Sequence, residues 1–255
     1  VIGSIRLLES LKYLQNNCAV VMVTTDKVYK NNEWIYGYRE NDRLGGNDPY
    51  SASKAACEIA IDSWRKSFCG NFKHQTNKLK IATARSGNVI GGGDWSEDRI
   101  IPDAVRALKE KKPIIVRNPH SVRPWQHVLD PLSGYLKLAE LLTIKNNINI
   151  DLCSSFNFGP HQQNQIKVSE LINMILEYWP GRWEKESLSD KLEESKLLTL
   201  EIEKAKSFLK WEPTWDLKAT VSHTINWYKK YSIEGINAFE CCKKDIEDFQ
   251  LDQRD

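Results

Sequence analysis

A tyrosine, Tyr50, stands four residues before a lysine, Lys54, in the stretch PYSASKAACE. On a helix this spacing puts both side chains on one face. An ammonium beside a phenol favours the phenolate, and a phenolate can take a proton from a substrate hydroxyl. The same spacing occurs in many helices that do no chemistry, so the surroundings decide its weight. Upstream, the apolar run AVVMV ends in Thr24, Thr25, Asp26 and Lys27. Hydroxyl, carboxyl and amine groups gathered at one strand end are equipped for proton transfer. Their bland reading is a loop that opens on an Asx turn.

The elements that must position these groups follow from periodicity. Val1 to Leu14 keeps an apolar three-to-four spacing and predicts a helix with no visible cap. Ala19 to Thr25 is short, apolar and β-branched, as a buried parallel strand is. A polar loop leads to a helix from Tyr50 to about Phe68. LKIATAR predicts a second strand, SGNVIGGGDW a glycine-rich loop, and a helix follows Pro102. Pro113 to Val116 predicts a short strand, and a helix runs from Asp130, its expected N-cap, to about Leu142. This alternation argues for a Rossmann-like, doubly wound parallel α/β sheet. Ligands of such sheets bind at the C-terminal ends of the strands, where Thr24 to Lys27 lie.

The later part changes character. FNFG is short and extended, and a helix starts after Ser169, its expected N-cap. Two more helices fall in EIEKAKSFLKW and DLKATVSHTINWYKKY. The expected division is residues 1–150 for the sheet domain, with substrate-lobe segments inserted at about 90–125. Residues 151–235 form mainly a small α+β cap lobe that binds substrate, and 236–255 a charged tail, as a loosely packed helix or a frayed end.

Composition removes several function classes. The 36 basic and 34 acidic residues nearly cancel, which argues against a nucleic-acid groove or a polybasic membrane patch. No apolar run approaches the roughly 20 residues of a spanning helix. The six cysteines form no CxxC pair, so free thiols, a cytoplasmic setting and no metal are expected.

TTDKVY, PYSASKAACE, ARSGNVIGGGDW and RPWQHVLD, in this order and spacing, resemble the extended short-chain dehydrogenase/reductase family. Within it the chain is most similar to the nucleotide-sugar 4,6-dehydratases, from Val1 to about Tyr231. The resemblance implies NAD as cofactor, near Thr24, Tyr50 and Lys54. It implies that Thr25 bonds the sugar 4-hydroxyl, that Tyr50 takes its proton, and that Lys54 favours the Tyr50 phenolate. Asp26 would then act as acid on the 6-hydroxyl. The dTDP-glucose enzymes carry Glu at the place of Lys27 and the CDP-glucose enzymes carry Lys, so CDP-glucose is the implied substrate. Lys27 could take the C5 proton if burial and nearby Lys54 kept it neutral, or it could stay charged and stabilise an enolate.

Asn88 and Arg123 match family positions that contact the sugar and its diphosphate, and Glu194 falls where the cap lobe meets the nucleotide. Arg99 is a further diphosphate candidate, because a guanidinium fork suits phosphate oxygens; its alternative is a surface salt bridge. Gly91, Gly92 and Gly93 do not follow GxxGxxG and read as a flexible substrate-side turn. Trp125 and His127 read as structural.

The family's cofactor site opens on a strand and a GxxGxxG turn, and this sequence has none. The resemblance therefore implies that roughly the first 110 residues of the pattern are absent, and that this piece alone would be inactive. It also implies a homodimer through a four-helix bundle, with Ile59, Ile61 and Trp64 exposed for that contact. Other sugar-nucleotide enzymes, such as an epimerase or a dTDP-glucose dehydratase, stay open as alternatives, as does a non-catalytic nucleotide-binding module.

Overall fold

The computed structural model describes residues 1–69, 78–144, 152–161, 165–186 and 197–253. The chain divides into two compact units that interleave along the sequence. The first comprises Val1–Gly87, Pro131–Gly159 and Leu198–Glu212, and the second Asn88–Asp130, Pro160–Leu197 and Pro213–Asp255. Glu194 lies outside the described residues.

The first unit is built on a parallel sheet of β1 (Cys18–Val23), β2 (Leu79–Ser86) and β7 (Ser155–Phe158), in the order β1-β2-β7. Val23 pairs with Ala84, and Ala84 with Phe156. Alternation along each strand decides which helices it meets. Leu79 and Ile81 of β2, with Val20 and Met22 of β1, pack against α1 (Ile2–Leu11) and α2 (Pro49–Phe68) through Leu8, Cys57, Ile61 and Trp64. Ala82 and Ala84 face the other way, onto Leu138 and Leu142 of α4 (Leu129–Thr143) and Ala205 and Leu209 of α6 (Glu203–Leu209). Helices thus cover both faces of a parallel sheet, the doubly wound arrangement. The expectation that Ile59, Ile61 and Trp64 are all exposed fails for two of them. Ile59 is exposed, but Ile61 and Trp64 are buried, because they lie on the face of α2 turned to Leu8 and the sheet.

Among its described residues the second unit holds three two-stranded pieces. β3 (Val89–Ile90) pairs in parallel with β6 (Gln126–His127), and β4 (Ile114–Val116) with β9 (Trp183–Lys185). β5 (Val122–Pro124) runs antiparallel to β8 (Gln165–Lys167). Its core joins α3 (Ile100–Lys109), α5 (Val168–Tyr178), α7 (Leu217–Ser232) and α8 (Ala238–Asp252). Ile101, Ala104, Val105 and Leu108 form the buried stripe of α3 at the spacing an amphipathic helix needs. Trp125 is buried in this core, as expected.

Three local expectations change. Helix α5 begins earlier than Ser169: Lys167 is its N-cap residue, and Glu170 accepts the Lys167 backbone N–H at 3.0 Å. Asp130 sits within the first turn of α4 rather than capping it, and its carboxylate accepts the Thr214 N–H at 2.6 Å. The glycine loop is shaped by packing more than by mobility. A Cβ on Gly92 would lie 2.0 Å from Cγ of the Trp227 indole, and Gly93 has φ +87°.

Candidate active site

The groups at the end of β1 are arranged by the turn that follows it. Thr25 caps a short 3-10 turn, Asp26–Val28, and its hydroxyl accepts the Lys27 N–H at 3.4 Å. That hydroxyl donates to Asp26 Oδ1 at 2.9 Å, and both residues are buried. The Asp26 carboxylate rests against Gly87, where a Cβ would stand 2.4 Å from Oδ2. The glycine of the SGN motif is therefore the space that Asp26 occupies. Lys27 is exposed.

The chain then folds into a loop that sets the start of α2. Gly45 N–H donates to Val28 O at 2.8 Å and Lys30 N–H to Arg43 O at 2.9 Å, while the Tyr29 and Tyr38 rings stack 5.1 Å apart. Asp48 caps α2 by accepting the Ser51 N–H at 3.0 Å, and Pro49 opens the first turn, where its missing N–H costs nothing. Gly46 lies directly on that turn, since its Cβ would be 2.4 Å from Ala52 N. Tyr50 comes next, 52% exposed. An anion there is favoured by the positive end of the helix dipole, by about 0.3–1 kcal/mol. One turn on, the Lys54 ammonium is 5.8 Å from the centre of the Tyr50 ring, and among the described residues no carboxylate pairs with it. An exposed phenol and an unpaired ammonium on one helix face fit the nicotinamide-ribose end of NAD. No GxxGxxG turn is present to hold its diphosphate.

Beneath this face lies a set of residues that spacing alone did not mark. Glu58, one further turn along α2, is buried, and its carboxylate accepts Thr24 Oγ1 at 2.5 Å, Thr83 Oγ1 at 2.9 Å and Arg85 Nη2 at 2.8 Å. Burial works to raise the Glu58 carboxyl, but the Arg85 hydrogen bond and charge, with the two threonine hydroxyls, hold it below its usual value. Arg85 also donates to Tyr29 Oη at 2.8 Å and Glu40 O at 3.0 Å, and Tyr29 donates to Asn157 Oδ1 at 2.7 Å. Thr24 thus spends its hydroxyl hydrogen inside the protein. The signal was available: alternation places Thr24 beside Val20 and Met22, and Thr83 and Arg85 beside Ile81, all toward α2.

In the second unit, Asn88 is half-buried and its carbonyl accepts the Gln126 N–H at 3.2 Å. Arg99 is exposed at the start of α3 and Arg123 is half-buried on β5, with Nη1 donating to Val122 O at 3.0 Å. Gln126 ties β6 back to Asn88, so the SGN and RPWQH motifs share one strand pair. His127 is buried and neutral: burial first, then the charge of His223, lowers it to about 3.

Comparison with known proteins places the chain. The model of the NAD dependent epimerase/dehydratase family matches residues 1–151. The chain is 38% identical over 251 residues to CDP-glucose 4,6-dehydratase of Salmonella typhimurium, across 98% of this chain and 68% of that protein. Its fold is similar to the crystal structure of dTDP-glucose 4,6-dehydratase from Bacillus anthracis in complex with NAD. There the TM-score is 0.73 at 24% identity, over 91% of this chain and 68% of that one. It is likewise similar to UDP-glucuronic acid 4-epimerase from Bacillus cereus, with TM-score 0.74 at 19% identity, over 91% and 67%. The chain belongs to the NAD dependent epimerase/dehydratase family.

Proposed function

We propose that the protein dehydrates CDP-glucose to CDP-4-keto-6-deoxyglucose and water. The observation that carries this reading is Asp26, a carboxylic acid seated against Gly87 and bonded by Thr25 beside the Tyr50–Lys54 helix end. An epimerase, which eliminates no water, has no use for an acid and a lysine in tandem there. The 38% identity to a CDP-glucose 4,6-dehydratase supports the same reading and its nucleotide.

When bound, NAD would take hydride from C4 of the sugar and return it to C6, so that the reaction carries no net oxidation. Tyr50 takes the proton of the 4-hydroxyl, and Lys54 favours the phenolate that does so. Thr25, whose hydroxyl hydrogen rests on Asp26 in the free protein, turns it to the 4-oxygen as a donor when the sugar is bound. The 4-ketone makes C5–H acidic. The C5 proton is taken up by Lys27 as a neutral amine or, if Lys27 stays charged and steadies the enolate, by solvent; the 6-hydroxyl departs as water with a proton from Asp26, and a proton returns to C5 as hydride reaches C6. Asn88, Arg99, Arg123 and Glu194 are assigned to the sugar and diphosphate, a cytoplasmic homodimer is the expected form, and Thr24 borders the cofactor.

Incubating the full-length protein with NAD and CDP-, dTDP- or UDP-glucose tests this. A 4-keto product, read by its ultraviolet absorbance in base, is expected from CDP-glucose. Preference for another nucleotide overturns the substrate, and tight binding of CDP-glucose with no keto product favours a binding module. Lys27→Ala should allow oxidation at C4 and block loss of water. Lys27→Arg, which can supply only charge, should restore elimination if charge is the role.

A further inference from the structure

Tyr50, Lys54 and Glu58 follow one another at four-residue intervals along α2, on one stripe of the helix. The first is exposed, the second half-buried and the third wholly inside. Glu58 is therefore the root of the stripe that carries the proposed base. Its carboxylate also touches the opposite wall of the site. Oε1 accepts the hydroxyl of Thr24, the residue directly before Thr25 and Asp26, and the Thr24 backbone N–H is itself pinned to Ala84 O at 2.8 Å. Oε2 accepts Thr83, Arg85 and, at 3.3 Å, Ser155, which sit on β2 and β7. One carboxylate thus bonds to the end of β1 and to both other strands while being covalently part of α2. The Arg85 that neutralises it reaches on to Tyr29 and Glu40, in the loop that delivers the α2 N-cap.

We propose that Glu58 is a positioning residue for the reaction: it sets the register between the helix of Tyr50 and Lys54 and the strand end of Thr25 and Asp26. The physical reason is that the core between α2 and the strands is apolar, through Ile61, Trp64 and Ile81, and apolar packing tolerates small sliding. A buried ionic hydrogen-bond cluster does not, because a shift of about 1 Å breaks charge-assisted bonds that nothing else can replace. Buried ion pairs are weak contributors to stability but are used to specify register. An error of that size at the reacting groups costs on the order of a hundredfold in rate.

The inference rests on the catalytic reading of Tyr50, and the test separates the two. Glu58→Asp keeps the charge but shortens the reach by one methylene, and Glu58→Gln keeps the length but removes the charge. Thr83→Val removes a single donor without stranding an ion, and it carries the test should neither Glu58 variant fold. Each is made in the full-length enzyme, with thermal melting, bound NAD, and the pH profile of kcat and KM for CDP-glucose compared with wild type and Tyr50→Phe. The expected result is a kcat lowered at least tenfold in Glu58→Asp and severalfold in Thr83→Val, with KM within about twofold and the pH limb assigned to Tyr50 displaced. Variants that melt earlier yet keep the wild-type kcat and pH profile overturn the positioning role. If wild type itself makes no keto product, it is the functional reading that fails.

Discussion

The two units bury ionisable groups in opposite ways. In the first, Glu58 and Arg85 keep their charges inside the protein because each meets the other and a ring of hydroxyls, with the N–O distance at 2.8 Å. In the second, burial is the largest influence on His127 and Asp130, and it pushes both toward their neutral forms. His127 is held neutral, and burial pushes the Asp130 carboxyl up to about 7 despite the N–H bonds from Thr214 and Trp215. Around His127, the Trp215 ring stands edge-on at 4.6 Å and itself stacks on His223 at 3.8 Å, and His223 contacts Asp245 at 3.2 Å. The lesson is that a buried ion pair behaves as a rigid frame insensitive to pH near neutrality, whereas a group that burial drives toward its neutral form makes its surroundings pH-dependent.

The comparison breaks most sharply at Arg85. Arg85→Ala strands the Glu58 carboxylate and also removes the donors to Tyr29 and Glu40. It should cost about 3–5 kcal/mol in urea unfolding at pH 7. Replacing both partners by apolar residues of similar size, Arg85→Met with Glu58→Leu, should recover most of that loss. Turnover should stay low, since the frame that orders the site is gone. A double variant no more stable than Arg85→Ala would mean that the cluster is not a closed ion pair.

The second unit is probed by pH. His127 has a folded value lowered to about 3, so below the ordinary range near 6.5 the unfolded chain takes up a proton that the native state refuses. Its stabilisation is present above about pH 6.5 and is lost as pH falls toward 3. In His127→Leu that acid loss disappears. The melting temperature of the variant relative to wild type should rise by roughly 5 °C between pH 7 and pH 4. Asp130 runs the other way. Its raised value means that stability is full below the ordinary carboxylate range near 3.9 and declines as pH rises to about 7. Asp130→Asn keeps an acceptor for Thr214 and should flatten that decline, a gain of roughly 5 °C over wild type at pH 8 relative to pH 4. If melting curves of both variants track wild type at every pH, the contrast between the units does not hold.

Much of the proposed chemistry could be read along the chain because it is local. Tyr50 and Lys54 share a helix face by their spacing alone, and Thr24 to Lys27 follow a strand by their polarity alone. The α/β alternation was equally legible, since each strand and helix carries its own period. The misreadings share one cause. Ile61 and Trp64 read as exposed because their burial depends on Leu8 and on the sheet, residues far away in sequence. Gly92 read as a flexible turn because the reason for a glycine there is a tryptophan 135 positions later. Asp130 read as a cap because its actual partner is Thr214.

The sequence by itself determined which groups the proposed proton transfers would use, the order of strands and helices that presents them, and through its motifs the family. Only the tertiary structure decided how they are held. Glu58 reaches Thr24 across 34 residues, Arg85 across 27 and Ser155 across 97. No local period records such pairings, because a hydrogen bond depends on position in space, and position is set only when the sheet and its helices have packed. The same holds for Asp26, whose carboxylate has room only because Gly87 arrives beside it without a side chain.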